Sequence, residues 1–477
     1  MKHLIYCLIA CTAFVFAACS NGDEDSVIKG DDRRFASLSS EEVLSLIPDS
    51  AHTLSDAEVL RAISSFSKNQ GGQTRVSISK EMKIVKNYKV ACKQVSSTRA
   101  AVEQDSVEFS FVDLGLDKIS GLAVVCRDSR YPEVLAYVPT SNIQTYQSCI
   151  PMQMMVSRAQ DVAMHYVNRY NAIKVNEGTR EKALRKVCKM LNIKEEDFDF
   201  AKYRSQIFIT DNTDAETRST KQEPVGTLLS SVGPLCGSTR LIQSWPCNQF
   251  IETTTLDKYN TMQYNGHFPA GCVNVALATI CSYLQPNIYC TYLGRYINWS
   301  NVADTHFNPW GIYPSEYDEN TPQAIEVAYL LKIISDKTKT KFDEQGGGTS
   351  TADAASYMRS IGISMSSSTS ALNYSNVRTS LSNLALVYCT GTVTEKNGST
   401  AGHAWVIDGL QIRKPLARYE LQNYNCYANC KFGWIEGDFG DTDNGWYLFD
   451  SKGAIDFTLT GNNISTNLAC IPNIRKN

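Results

Sequence analysis

A cysteine at the start of a helix is the first candidate for chemistry in this sequence. Cys272 follows the run Phe-Pro-Ala-Gly, in which Pro269 and Gly271 set a sharp turn. The sulfur would face the unpaired amides and the positive end of the helix dipole, which lowers the pKa of a thiol. The pattern predicts a nucleophile, with a small buried structural cysteine as the alternative.

A cysteine nucleophile needs a base, and only three of the six histidines lie in the second half of the chain. His267 is five positions before Cys272, and His306 lies in a polar stretch. His403 follows a glycine at the start of an apolar strand, in the run GHAWVIDG, where its ring can face a cleft. We therefore predict a Cys272–His403 dyad. The alternative is a core histidine whose ring is satisfied by backbone groups.

The elements that would position this pair are helices followed by strands. The helix that begins at Cys272 has one apolar face, formed by Val273, Ala276, Ile280 and Leu284. Further helices are predicted around residues 324–334 and 352–361, and strands at 384–389, 404–407 and 419–449. Helices first and an antiparallel sheet afterwards predict an α+β catalytic domain.

The first half of the chain is also predicted to be α+β, without chemistry of its own. Two short helices are expected within residues 38–66, because Ser39 and Ser40 precede Glu41 and Glu42 as a helix cap with an acidic first turn. Alternating apolar residues predict a sheet within 75–138, and helical spacing returns at 157–170 and 181–191.

A polar segment separates these halves. Residues 211–224, DNTDAETRSTKQEP, have the composition of an exposed linker. It is either a plain interdomain loop or the site where a propeptide is cut from a mature enzyme, and its position upstream of the catalytic candidates favours the second interpretation. We predict a propeptide domain at 38–215, a processing linker at 216–224 and a catalytic domain at 225–477.

Composition limits the classes of function. The chain has 477 residues, 46 Lys and Arg against 49 Asp and Glu, and a net charge of -3. Its length predicts two or three structural units, and its charge balance gives no basis for binding nucleic acid or an anionic membrane surface. The 16 cysteines show no paired spacing typical of metal ligands, so we expect no structural zinc and no other cofactor.

The first residues predict export. Lys2 and His3 precede an apolar run at 4–16, and two alanines then precede Cys19. This is a signal peptide at 1–18 that resembles a bacterial lipobox, which implies cleavage before Cys19, lipidation of its thiol and a polar tether at 19–37. The alternative is an ordinary cleaved signal. The expected location is the outer membrane or cell surface, with membrane contact only through the lipid and with release possible after processing.

Three separated motifs resemble the streptopain family of cysteine peptidases, in the papain-like clan. They are IQSWPCN, which contains Gln243, PAGCVNVALA, which contains Cys272, and AGHAWVIDG, which contains His403. The resemblance covers roughly residues 225–477 and implies a papain-like domain, with a helical part that carries the cysteine and an antiparallel sheet that carries the histidine. It also implies that Cys272 is the nucleophile, that His403 is the general base and that Gln243 stabilises the oxyanion.

The late strand departs from the family pattern. Residues 429–434 read NCKFGW, with Lys431 where asparagine is usual and Phe432 where a tryptophan is usual. Trp434, Asn429 and Phe432 are the candidates for orienting or shielding the base. A lysine close to His403 would depress its pKa and weaken the ion pair with the thiolate. The glycine run at 346–348 resembles the family's flexible stretch beside the substrate cleft.

The resulting prediction is a secreted cysteine endopeptidase made as a zymogen. Protein or peptide substrates and the chain's own propeptide, acting as an inhibitor, are the expected partners. Two alternatives remain: a catalytically weakened surface protein that binds polypeptides, and another Cys–His acyl hydrolase that acts on cell-wall peptides.

Overall fold

A computed structural model describes most of the chain. The described residues are 34–68, 82–91, 106–115, 121–139, 141–210, 226–237, 239, 241–303, 319–394, 400–416, 424–433, 444–451 and 465–477. The predicted signal peptide, Cys19, the processing linker, His306 and Trp434 lie outside them. We call residues 34–210 the N-terminal half and residues 226–477 the C-terminal half.

The N-terminal half contains the helices and strands expected from its sequence. Its strands are β1 (Ala36–Leu38), β2 (Lys83–Ala91), β3 (Ser106–Asp113), β4 (Leu122–Cys126), β5 (Val134–Val138) and β6 (Ile207–Ile209). Its α-helices are α1 (Ser40–Leu46), α2 (Asp56–Lys68), α3 (Ile143–Ser148), α4 (Ile150–Lys174), α5 (Glu177–Leu191) and α6 (Phe200–Tyr203).

Both ends of the N-terminal half are tied into the fold. Ser39 caps α1 in a capping box: its hydroxyl accepts from the Glu42 amide at 3.2 Å, and the Glu42 carboxylate accepts from the Ser39 amide at 2.8 Å. β1 pairs in parallel with β6. The first two residues of β1, Ala36 and Ser37, lie within the tether predicted at 19–37.

The C-terminal half has the predicted order of helices before strands. Its helices are α7 (Cys272–Leu284), α8 (Trp299–Ala303), α9 (Pro322–Lys337), α10 (Thr351–Ser360) and α11 (Tyr374–Ser382). Short strands are β7 (Leu228–Val232), β8 (Tyr289–Cys290), β9 (Arg295–Tyr296), β10 (Lys341–Asp343), β11 (Gly346–Gly348), β12 (Ile363–Ser364) and β13 (Ser370–Ala371). Long strands are β14 (Leu386–Thr394), β15 (Thr400–Arg413), β16 (Asn425–Lys431), β17 (Gly445–Ser451) and β18 (Ser465–Lys476).

One large sheet joins the two halves. Its strand order is β12-β18-β14-β15-β16-β17-β5-β4-β3-β2, with β13 on β18 and β7 on β15. At the junction, Trp446 pairs with Tyr137 and Tyr447 pairs with Ala136 in antiparallel register. The backbone groups at the edge of β17 are thereby satisfied by a strand of the N-terminal half. The sequence predicted a sheet in each half but not their continuity.

The sheet is covered by helices on both faces. On one face α7 packs against β15 and α9, in a core that belongs to the C-terminal half. On the other face α4 contacts β14, β15 and β17. That second core mixes residues of both halves, such as Met155 and Val156 with Trp405 and Tyr427.

Candidate active site

The backbone places Cys272 at the first position of α7. Gly271 precedes it with φ 93°, a conformation that favours glycine. A Cβ atom on Gly271 would lie 2.8 Å from the Gly347 carbonyl oxygen, so the hairpin of β10 and β11 packs directly against the turn before the cysteine. The glycine run predicted to line the cleft therefore also supports the start of α7.

The Cys272 thiol is partly exposed, whereas the other eleven cysteines in the described part of the chain are buried. Hydrogen bonds from the backbone at Ala404, Val273 and Cys272 itself lower its pKa, as the helix start predicts. Burial has the larger effect and raises the pKa of Cys272 above its ordinary value. The net direction is therefore opposite to the one predicted from the helix start alone.

His403 is buried on β15. It directly precedes Ala404, whose backbone is hydrogen-bonded to the Cys272 sulfur. Its Nε2 lies 3.0 Å from the Phe432 carbonyl oxygen. Burial lowers the pKa of His403 to about 4, and the carbonyl contact only partly offsets this. The ring is neutral at physiological pH. A neutral ring with its proton on Nε2 donates to that carbonyl.

Phe432 positions the base through its backbone and shields it with its ring. Its ring meets those of His403 and Trp405 at steep angles, with centroids 6.5 Å and 5.9 Å apart. The Phe432 amide donates to Asn444 Oδ1 at 3.0 Å, which holds the residue whose carbonyl contacts His403. Asn444 was not among the predicted site residues, because it lies twelve positions further along the chain and no motif marks it.

Lys431 and Asn429 were expected close to His403, but the structure places both elsewhere. Lys431 donates from Nζ to the Gly237 carbonyl at 2.8 Å. Burial raises the pKa of Asp408, and the Lys431 charge partly offsets this rise; Lys431 does not act on the pKa of His403. The expectation that Lys431 depresses the His403 pKa is therefore wrong: burial does so. Asn429 pairs with Gly409, six residues along β15 from His403, which is about 20 Å in an extended strand. The structure does not bring Asn429 to the base.

Gln243, Cys272 and His403 line one cavity of about 460 Å³. The Ala270 amide donates to the Gln243 carbonyl at 2.8 Å, which ties the segment carrying Gln243 to the turn before the cysteine. The cavity walls also include Gln345, Gly346, Gly347, Thr400, Ala401 and Gly402. Ile150, at the start of α4 in the N-terminal half, lines the same cavity.

Asn274 fixes the first turn of α7 and was also missed. Its side chain is fully buried and donates to the Ala270 carbonyl at 2.7 Å and to Thr340 Oγ1 at 2.9 Å. Its Oδ1 accepts from Thr338 at 3.1 Å. An asparagine two residues after the cysteine was the only signal, and polar residues in an apolar helix face indicate such a role.

Three other findings concern metal binding, membrane-spanning helices and the position of His267. Among the residues described by the structure, no three His, Cys, Asp or Glu side chains converge where they could hold a metal ion. In the same part of the chain, no helix is long and apolar enough to cross a membrane. His267 is not a wall of the cavity; its Nδ1 lies 2.7 Å from the Ile251 carbonyl oxygen.

Comparison with known families identifies the segment that carries this cavity. Residues 243–447 match the Peptidase C10 family. The predicted resemblance to streptopain is thus confirmed, and this segment is that of a cysteine peptidase. The mixed α and β class is confirmed as well, with Cys272 at the start of a helix and His403 on an antiparallel sheet. The Peptidase C10 segment contains Gln243, Cys272 and His403.

Curated proteins and solved structures give different results. A search of curated proteins finds no match. The solved structure of the active wild-type interpain A cysteine protease of Prevotella intermedia matches with 20% sequence identity and a TM-score of 0.33, covering 54% of this chain and 100% of its own.

Proposed function

We propose that the protein is a secreted cysteine endopeptidase synthesised as a zymogen, with Cys272 as nucleophile, His403 as base and Gln243 as oxyanion donor. The observation that carries the proposal is the meeting of these three residues in one cavity within the Peptidase C10 segment.

The reaction would follow from the protonation states of the pair. His403 Nδ1 takes the proton of the Cys272 thiol, and the sulfur attacks the substrate carbonyl carbon. The Gln243 side-chain amide and the Cys272 backbone amide donate to the resulting oxyanion. The imidazolium returns its proton to the leaving amine as the C–N bond breaks. Water, deprotonated by His403, then hydrolyses the thioester and releases the acid and the thiol.

Contacts between the N-terminal half and the walls of the cavity support synthesis as a zymogen. Ile150 forms part of the cavity wall. One turn further along α4, Met154 packs against Gly391, where an added Cβ would lie 2.7 Å from the Met154 sulfur. Gly391 pairs with His403 across the sheet. The start of α4 thus lies beside the strand position opposite His403. We expect its removal to rehydrate both the thiol and the imidazole, which would bring their pKa values toward those of an ion pair.

The cavity wall supports cleavage within a peptide chain. β11 pairs with β10 along one edge, and no strand pairs with its other edge among the described residues. An extended peptide can pair with such an edge through its backbone and continue in both directions. Export and lipidation at Cys19 complete the proposal and rest on the sequence of the first 25 residues.

Self-processing tests the proposal. The full chain is incubated alone and its products are analysed by N-terminal sequencing, beside the Cys272→Ala chain as control. We expect a new N-terminus between about residues 211 and 225, where the sequence has the composition of an exposed linker, in the active chain only. The same cut in the Cys272→Ala chain, or no cut together with no casein hydrolysis, would contradict it.

A further inference from the structure

A buried carboxylate of the N-terminal half is held mainly by groups of the C-terminal half. Glu133 precedes β5 and is 3% exposed. Its Oε2 accepts from the Leu416 amide at 2.9 Å and from Asn425 Nδ2 at 2.6 Å. Its Oε1 accepts from the Tyr427 hydroxyl at 3.0 Å and from the neighbouring Val134 amide at 3.2 Å. Three of these four donors therefore follow the processing linker in the chain.

Further polar contacts surround this carboxylate and cross between the halves. The Tyr131 hydroxyl donates to Asn425 Oδ1 at 3.1 Å. Arg413 donates to the Phe66 carbonyl at 3.2 Å, and its guanidinium lies 3.9 Å from the centre of the Phe66 ring. A buried network of this kind is costly when one partner leaves, because each remaining polar group loses its hydrogen bonds.

A second anchor lies on α4. Arg158 is 5% exposed and donates from Nε to the Phe449 carbonyl and from Nη2 to the Leu372 carbonyl, each at 2.8 Å. The core around these contacts contains residues of both halves, and the halves share the β5–β17 strand pair. An interface that combines one sheet with one apolar core resembles that of an obligate complex.

We propose that the N-terminal half stays bound to the C-terminal half after the linker is cut, with Glu133 as the central residue of the docking surface. Cutting the linker would then not open the cleft, because Ile150 would remain in its wall. Activation would need a later release or digestion of the N-terminal half. This regulatory consequence rests on the proposed peptidase function, whereas the docking itself does not.

The docking has a defined pH dependence. Burial raises the pKa of Glu133 to about 7, although the charge of Arg413 and the donors around the carboxylate lower it. The other titratable groups that face it are Tyr427, Tyr131 and Cys126, and burial raises the pKa of Tyr427 and Cys126 well above their ordinary values. A carboxyl whose pKa is raised in the bound state binds its proton more tightly there. Docking is therefore strongest at low pH and weakens as pH rises from about 4.5 to about 7.

The test uses the full chain with Cys272→Ala, so that no self-processing occurs, and with a recognition site for a specific protease in place of residues 216–224. After cleavage, size-exclusion chromatography shows whether the two pieces elute together, and their dissociation constant is measured at several pH values. We expect one complex at pH 6, with a dissociation constant that rises by up to about tenfold per pH unit between pH 5 and 7.

Glu133→Gln is the decisive variant, because an amide keeps the shape of the carboxyl group but does not ionise. Its control is Glu41→Gln, an exposed carboxylate whose partner Arg169 also lies in the N-terminal half. We expect the dissociation constant of Glu133→Gln to stay constant between pH 5 and 7, whereas that of the control rises with pH. If Glu133→Gln fails to fold, Tyr427→Phe removes one donor only and should weaken docking several-fold.

Separation of the pieces at once after cleavage, or a dissociation constant of Glu133→Gln that rises with pH as that of Glu41→Gln does, would overturn the proposal. Neither result depends on catalysis. Absence of self-processing in the active chain, with docking intact, would instead count against the proposed peptidase function alone.

Discussion

Replacing Gly347 by alanine tests the contact between the glycine hairpin and the turn before the nucleophile. An added Cβ would lie 2.9 Å from Phe342 Cε1, 3.1 Å from Gly271 Cα and 3.1 Å from the Pro269 carbonyl oxygen. The Phe342 ring can rotate away, but the other two atoms belong to the backbone. The hairpin must therefore shift from Gly271, and Gly347 is a wall of the cavity.

The magnitude follows from overpacking a close backbone contact, which costs about 1–3 kcal/mol. Gly348→Ala is the matched control on the same strand, since its nearest atom would be the Lys341 carbonyl oxygen at 3.8 Å, an ordinary contact. Neither glycine has a positive φ, so the gain from a less flexible unfolded chain, about 0.4–1 kcal/mol, applies equally to both variants.

The assay is urea unfolding of both variants in the Cys272→Ala chain, followed by peptide hydrolysis in the active chain. We expect Gly347→Ala to be less stable than Gly348→Ala by about 1–3 kcal/mol and to lose activity in kcat/KM, because the cavity wall moves. Equal unfolding midpoints and slopes for the two variants would refute the claim that the hairpin is in close contact with Gly271.

Three further predictions concern the cavity. Gln243→Ala should lower kcat by about 10² to 10³ with little change in unfolding, as steady-state hydrolysis would show; an unchanged kcat would remove Gln243 from the site. Burial lowers the pKa of His403 to about 4, so the neutral ring stabilises the fold above pH 6.5 and this stability is lost as pH falls toward 4. Urea unfolding of the Cys272→Ala chain should show this loss, up to about 3 kcal/mol relative to an added His403→Gln; parallel pH curves would contradict it. Asn444→Ala should lower kcat about tenfold with an unchanged KM, because the hydrogen bond that holds Phe432 is lost and contributes about 1–2 kcal/mol. The pH profile of kcat should shift as well. A change in stability without a change in kcat would show that Asn444 is merely structural.

The sequence predicted the local elements well. Caps and apolar periodicity depend on neighbouring residues, so the cap at Ser39 and the helix that begins at Cys272 could be read from the chain alone. Cys272 and His403 could be chosen from their local motifs and Gln243 from the resemblance to the streptopain family, and the structure places all three in one cavity.

What the sequence did not predict depends on contacts distant in the chain. The pairing of β5 with β17 joins residues about three hundred positions apart, and no local pattern encodes it. The Lys431 side chain interacts with Gly237 and Asp408, and no sequence motif links these residues to it. The sequence predicted a lowered pKa for the Cys272 thiol, because the start of a helix can be recognised in the sequence. The structure gives a raised pKa, because burial outweighs the helix start and cannot be read from the sequence.

The measurement that tests the central claim most directly is modification by a thiol-reactive peptide analogue of the processed protein after its N-terminal half has been released, located by mass spectrometry. Among the described cysteines only Cys272 is partly exposed. The buried Cys236, Cys247, Cys281 and Cys290, which belong to the core of the C-terminal half, serve as internal controls. We predict stoichiometric labelling of Cys272 alone, lost in Cys272→Ala and in His403→Ala. An unreactive Cys272, or labelling that persists without His403, would contradict the account.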